Sequence, residues 1–223
     1  MGLCALPRRF GGPCPFGGLK RVALHHDLLH QARQLATHEP RRPKQASLRR
    51  AVSTAYYALF HLLTLEATDR MITGHNRDSL RLAMRRAFDH VGMKEACKEI
   101  VKPNAGRLSR CMANQSPSVT LKKVADTFVA LQQARHEADY DLFRTFTRSE
   151  VLTLVGQVER AFLYWKAISK DVEADVLLVA LLAHRGLFRQ LTAISLWLIR
   201  FLCRYPLTKP LSTSCRLPVD CKP

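Results

Sequence analysis

Residues 134–142 read ARHEADYDL, and seven consecutive positions in that stretch gather an arginine, a histidine, two aspartates and a tyrosine. Groups of these types hold phosphates, move protons or form ion pairs. At about 100° per residue along a helix that begins near Val119, Arg135 and Asp139 fall in line with Leu121, Val124, Phe128 and Leu142, inside the apolar stripe. His136 and Tyr140 lie on one flank. A charge that faces a core must find a partner, and Asp139, one turn beyond Arg135, can be that partner. Two readings follow. Arg135 and Asp139 form a structural ion pair that closes one end of the fold, or Arg135 holds a phosphate or a developing oxyanion with His136 and Tyr140 as the catalytic candidates beside it. Spacing alone favours the ion pair.

A second constellation is Arg50, Thr54, Tyr57 and His61, spaced at i, i+4, i+7 and i+11. On a helix they share one stripe, opposite Leu48, Val52 and Leu59, which suggests a second helix face that meets a partner or lines a cleft; its plainer reading is a partly exposed polar face. Two basic rows have one-turn spacing, Arg77, Arg81 and Arg85, then Lys94, Lys98 and Lys102. Either can track RNA or phosphate; with Asp78, Asp89, Glu95 and Glu99 nearby, either can equally be a solvated face. The chain has no glycine-rich phosphate loop in a strand–loop–helix context, no GxSxG and no HExxH, so no cofactor is expected.

These residues must be positioned by helices. No stretch alternates polar and apolar residues long enough for a strand. The periodicity predicts helices over about 22–37, from Pro43 to about Thr68 with a stripe of Leu48, Val52, Ala55, Leu59, Leu62 and Leu63, and over 77–90 with Leu80, Met84, Ala87, Phe88 and Val91. Pro43 suits a first-turn position. Further helices are predicted over 93–102, ending at Pro103, over 119–142 after a loop at 103–118, and from a capping box at Thr147 and Glu150 to about Lys170. The last carries Val151, Leu154, Val155, Val158, Phe162 and Trp165. Each stripe needs a partner, so the expected fold is all-α, an antiparallel up-and-down helical bundle with a C-terminal tail helix. The expected organisation is a disordered Gly/Pro-rich leader over 1–19, the bundle over 20–170, and a basic, apolar tail over 171–223.

Lysine and arginine number 35 against 18 acids, a formal charge of +17 that makes polyanions natural partners. Composition alone can also produce such a charge, in which case the chain is a non-catalytic helical scaffold. The seven cysteines, at 4, 14, 97, 111, 203, 215 and 221, form no CxxC pair and read as reduced thiols, with no metal site expected. The first 23 residues hold three prolines and five glycines and no continuous apolar core, unlike a secretory signal, and Leu6 stands where a myristoylation signal has Ser or Thr. No apolar run in the tail reaches the roughly 18 residues of a membrane span. A cytoplasmic protein is expected, with the tail packed on the bundle or a partner rather than on a membrane.

The stretch LRRAVSTAYYALFHLL (48–63), followed by ARHEADYDL and a last helix ending in FLYWKAI, resembles the HEPN family, in particular its uncharacterised bacterial branch with an A-Y-Y-A-x-F-H helix and a late R-x-x-A-D-Y segment. The likeness covers roughly residues 24–170. It implies a helical bundle that homodimerises and acts in toxin–antitoxin or defence systems, as a metal-independent ribonuclease, as a binder of RNA or a nucleotide, or as the partner of a small nucleotidyltransferase antitoxin. The family's nuclease motif is an arginine followed, after four to six residues, by a histidine. Arg135 matches the arginine and His136 the polar position after it, but Tyr140 stands where the histidine belongs. The resemblance therefore implies a binding module first, with a ribonuclease of degenerate R-x-x-x-x-Y motif as the alternative.

Overall fold

A long central helix organises the molecule, whose computed structural model describes residues 24–102, 111–112 and 116–182. Helix α2 (Gln45–Met71) buries apolar or small side chains at most positions from Leu48 to Ala67, because other elements surround it. Helices α1 (Leu24–Thr37), α3 (Asp78–Arg86), α5 (Val119–Tyr140) and α6 (Arg148–Ile168) pack on it, and α4 (His90–Val101) packs on α5. The described residues contain helices and connections and no strand, an all-α bundle. None of the described helices is long and apolar enough to cross a membrane. The leader at 1–19, most of the loop expected at 103–118, and the tail beyond 182 lie outside the described residues.

The expected stripe of α2 is buried throughout, with Leu62 the most exposed at 7%. Pro43 precedes the N-cap, Lys44, rather than occupying the first turn. In α6, Thr147 Oγ1 accepts from the Glu150 amide at 3.2 Å, one half of the capping box, while the Glu150 carboxylate pairs with Arg144. The compact unit runs past Lys170 to Leu182. Residues 172–182 are helical and bury Ala174, Leu177, Leu178, Ala180 and Leu181. Polar anchors hold this helix: Glu173 accepts from the Ser118 amide at 2.8 Å, and Asp175 pairs with Arg70 at 2.5 Å.

Two further expectations fail. Leu142 is not part of α5 and is 86% exposed, because the helix ends at Tyr140. The stripe drawn over 77–91 is not a core face: Leu80 and Val91 are 54% and 53% exposed, and only Phe88 is buried. The period crosses a break there. Helix α3 stops at Arg86, and Asp89 caps a new helix by accepting from the Val91 and Gly92 amides.

Burial also sets a pH response. His25 of α1 is 7% exposed and packs edge-on against Phe162 at 5.6 Å between ring centres. Burial, then the neighbouring His26 and His61, lower its pKa from 6.5 to about 4 against the opposing pull of Asp27. The folded chain thus prefers the neutral ring, while the unfolded chain takes up a proton below about 6.5. This contribution is complete above pH 6.5 and is lost as the pH falls toward 4, on the order of 3 kcal/mol in all. The melting temperature is expected to drop over that window, and His25→Phe is expected to flatten the drop; an unchanged profile in the variant would contradict the assignment.

Candidate functional site

Helices α2 and α5 cross so that Tyr57 meets Arg135, although 78 residues separate them. Arg135 Nη2 donates to the Tyr57 hydroxyl at 3.3 Å. Its Nε lies 2.6 Å from Asp139 Oδ2, a side-on ion contact in which the Nε–H makes no aligned hydrogen bond. Ser53, one turn before Tyr57 and buried, donates to the other Asp139 oxygen at 2.6 Å. Asp139 is thereby fixed from two sides and in turn fixes Arg135, whose side chain is 17% exposed. Burial alone would lower the Arg135 pKa, but Tyr57, Asp139, Tyr140 and Tyr56 outweigh it and hold the guanidinium charged.

Aromatic rings flank that charge. The guanidinium carbon lies 5.7 Å from the Tyr57 ring centre and 5.8 Å from that of Tyr140, both within cation–π range. Tyr140 is 65% exposed and packs at 5.1 Å on His136, which is exposed as well. Just beyond α5, Phe143 is 96% exposed. The segment that carries it is nevertheless well anchored: Asp141 Oδ1 accepts from the Phe143 and Arg144 amides at 2.9 and 3.2 Å, and Arg144 pairs with Glu137 and Glu150.

Two histidines also pack on Tyr57. His61 stacks on its ring at 6.2 Å, and His90 meets it edge-on at 6.1 Å. His90 Nδ1 is hydrogen-bonded to the buried Tyr56 hydroxyl at 2.6 Å, which orients the ring and leaves Nε2 for another group. Burial, then the charge of Arg135, lower the His90 pKa; burial, then Arg85 and His90, lower that of His61. Both rings are therefore neutral near pH 7. Chemically, the arrangement offers one fixed cation, exposed ring faces and two neutral imidazoles.

The structure thus joins the two constellations at Tyr57. Arg135, Asp139, Tyr57 and His61 come together, with Tyr140 and His136 at the rim. Thr54 is buried within the bundle and Arg50 is exposed, so these two do not belong to the cluster. The basic rows are largely committed elsewhere. Arg81 donates to the carbonyls of Ile72 and Gly74 at 2.9 and 2.7 Å, and Arg85 to Thr68 Oγ1 at 3.3 Å, while Arg77 is exposed. Lys94 donates to Gln133 at 3.1 Å, Lys98 pairs with Glu95 at 2.8 Å, and Lys102 pairs with Glu99. Ser53, His90 and Phe143 were not anticipated. Ser53 had a signal, a polar residue one turn before Tyr57 and so on the same side of α2; His90 had none, because its role depends on how α4 packs.

Among the described residues, no three His, Cys, Asp or Glu side chains gather as a metal ion would require. Cys97 is buried and Cys111 exposed, both as free thiols. No family model matches the chain, and neither a curated protein nor a solved structure matches it.

Proposed function

We propose that the chain is a cytoplasmic, homodimeric HEPN-like module that works by binding, and that single-stranded RNA is the ligand its site fits best. The observation that carries this reading is the Arg135 guanidinium held by Asp139 between the Tyr57 and Tyr140 rings, one of them exposed. Unpaired bases stack on exposed aromatic faces and guanidinium planes, and a fixed cation meets the adjoining phosphate. The same face would serve a nucleotide or a cognate protein such as a small nucleotidyltransferase antitoxin, the other occupants that the HEPN resemblance suggests. Net charge supports the reading less than its total implies. Of the 35 basic residues, 13 lie in 1–23, 103–110 and 183–223, against one acid there, Asp220; the described residues hold the other 22 against 17 acids.

A second reading is a metal-independent ribonuclease. Tyrosine, with an ordinary pKa near 10, is a poor general base at neutral pH, but neutral His61 and His90 beside Tyr57 favour keeping the idea. Arg135→Ala is expected to weaken binding of a short single-stranded RNA about tenfold, roughly the worth of one charge-assisted contact. Fluorescence anisotropy measures it, and unchanged affinity would remove Arg135 from the site. Incubation of the same RNA without metal separates the two readings: cleavage lost in both Arg135→Ala and His90→Ala establishes the nuclease, and intact RNA leaves binding alone.

A further inference from the structure

Helix α3 is turned inside out. Leu80, Ala83, Met84 and Ala87 recur at i, i+3, i+4 and i+7, the spacing of a face that a helix normally buries. Here Leu80 is 54% exposed, Ala83 and Ala87 are exposed, and Met84 is half-buried; no residue of α3 is buried. Val91, at the start of α4, is 53% exposed too. The side turned toward α2 carries the arginines. Arg81, 14% exposed, spends its guanidinium on the Ile72 and Gly74 carbonyls and on Asp78, and Arg85 bonds Thr68. A nine-residue helix has little stability by itself. These polar anchors hold α3 in place and leave its apolar strip facing outward.

Two further arginines stand at the ends of the strip. Arg77 just before α3 and Arg86 at its last turn are both exposed, and neither has an ion-pair partner among the described residues. On the helical wheel they border opposite edges of the strip. An apolar strip with an uncommitted cation at each end calls for apolar side chains flanked by carboxylates.

We propose that the outward strip of α3 docks a short amphipathic helical segment of a partner protein, apolar on one face and acidic along its flanks. A helix laid on such a strip reads it through its own i, i+3, i+4 and i+7 side chains. A second copy of this chain fits less well: it would bring the same arginines against each other, and one face of a nine-residue helix is small beside the roughly 800 Å² per partner of a stable interface.

The test uses the full chain and a labelled helical peptide of about 14 residues, with leucines at i, i+3, i+4 and i+7 and glutamates on the flanks. A lysine-flanked analogue and phosphatidylserine vesicles serve as controls. The glutamate peptide is expected to bind at least about tenfold more tightly than the lysine peptide. Leu80→Asp is expected to weaken it about tenfold while keeping the wild-type unfolding midpoint, since the residue faces out. Arg77→Ala with Arg86→Ala is expected to weaken binding and to reduce its salt dependence. Equal affinity for the two peptides would overturn the proposal, as would no binding of the glutamate peptide at about 1 mM, a weak limit by any interface standard. Self-association or vesicle binding that Leu80→Asp abolishes would replace the partner segment by a second copy or by a lipid surface. A Leu80→Asp chain that unfolds would show the strip to be core.

Discussion

Arg49→Ala is expected to destabilise the fold by about 2–4 kcal/mol, the range of a broken network of charge-assisted hydrogen bonds. Arg49 reaches from the first turns of α2 to the end of α5. Its Nη1 donates to the Ala138 carbonyl at 2.9 Å, and its Nη2 to the Asp141 carbonyl at 2.8 Å and the Leu142 carbonyl at 3.4 Å, with the Arg144 carbonyl a further acceptor. The last carbonyls of a helix have no partner within it. One guanidinium here satisfies that of Ala138 together with the carbonyls of the C-cap Asp141 and of Leu142 and Arg144 beyond it, and pins the segment that leads into α6. Water can reach part of this site and will recover some of the loss, which keeps the expected cost below the sum of the bonds. Arg49→Lys is expected to restore less than half, because a single ammonium cannot fork between two directions. Urea unfolding midpoints measure both variants, and a loss below about 1 kcal/mol in Arg49→Ala would mean that the chain end of α5 is held by its own capping.

Tyr56→Ala is expected to cost about 3–5 kcal/mol, the usual price of removing a buried aromatic ring. Tyr56 is fully buried and packs within 6.0 Å, centre to centre, of Phe60, His90 and Phe128. Burial pushes its phenol pKa well above the ordinary range, so the hydroxyl keeps its proton. Tyr56→Phe isolates the hydroxyl from the ring. It is expected to cost about 1–2 kcal/mol, because His90 Nδ1 loses its partner at 2.6 Å. The same change frees the His90 ring to turn. If His90 contributes to ligand binding, Tyr56→Phe weakens binding as well as stability, and RNA affinity measured on the folded variant separates the two effects.

The parts of this molecule that were legible in its sequence are the local ones. The α2 stripe from Leu48 to Leu63 could be read because a helix core repeats regularly, and the start of α6 because a threonine three residues before a glutamate has a cap geometry of its own. The i, i+4 relation of Arg135 and Asp139 was visible for the same reason. Helix α3 misled because Leu80, Met84, Ala87 and Val91 keep time across Asp89, which ends one helix's run and caps the next. Its arginines then satisfy loop carbonyls, a contact that periodicity does not encode. The pairing of Tyr57 with Arg135 depends on how α2 crosses α5, and that of Tyr56 with His90 on where α4 begins against α2. Neither can be counted off along the chain.

Recognition is expected on the Arg135 platform rather than on the excess charge carried by 1–23, 103–110 and 183–223. Ultraviolet cross-linking of a short uridine-containing RNA to the full chain, followed by trypsin and mass spectrometry, tests it most directly. Trypsin cuts after Arg135 and Arg144, so the platform's rim is released as His136–Arg144, a peptide that carries Tyr140 and Phe143. The expected result is a cross-link in that peptide, lost in Tyr140→Ala with Phe143→Ala. Cross-links found only in peptides from 1–23, 103–110 or 183–223 would contradict the account and make RNA binding a property of charge alone.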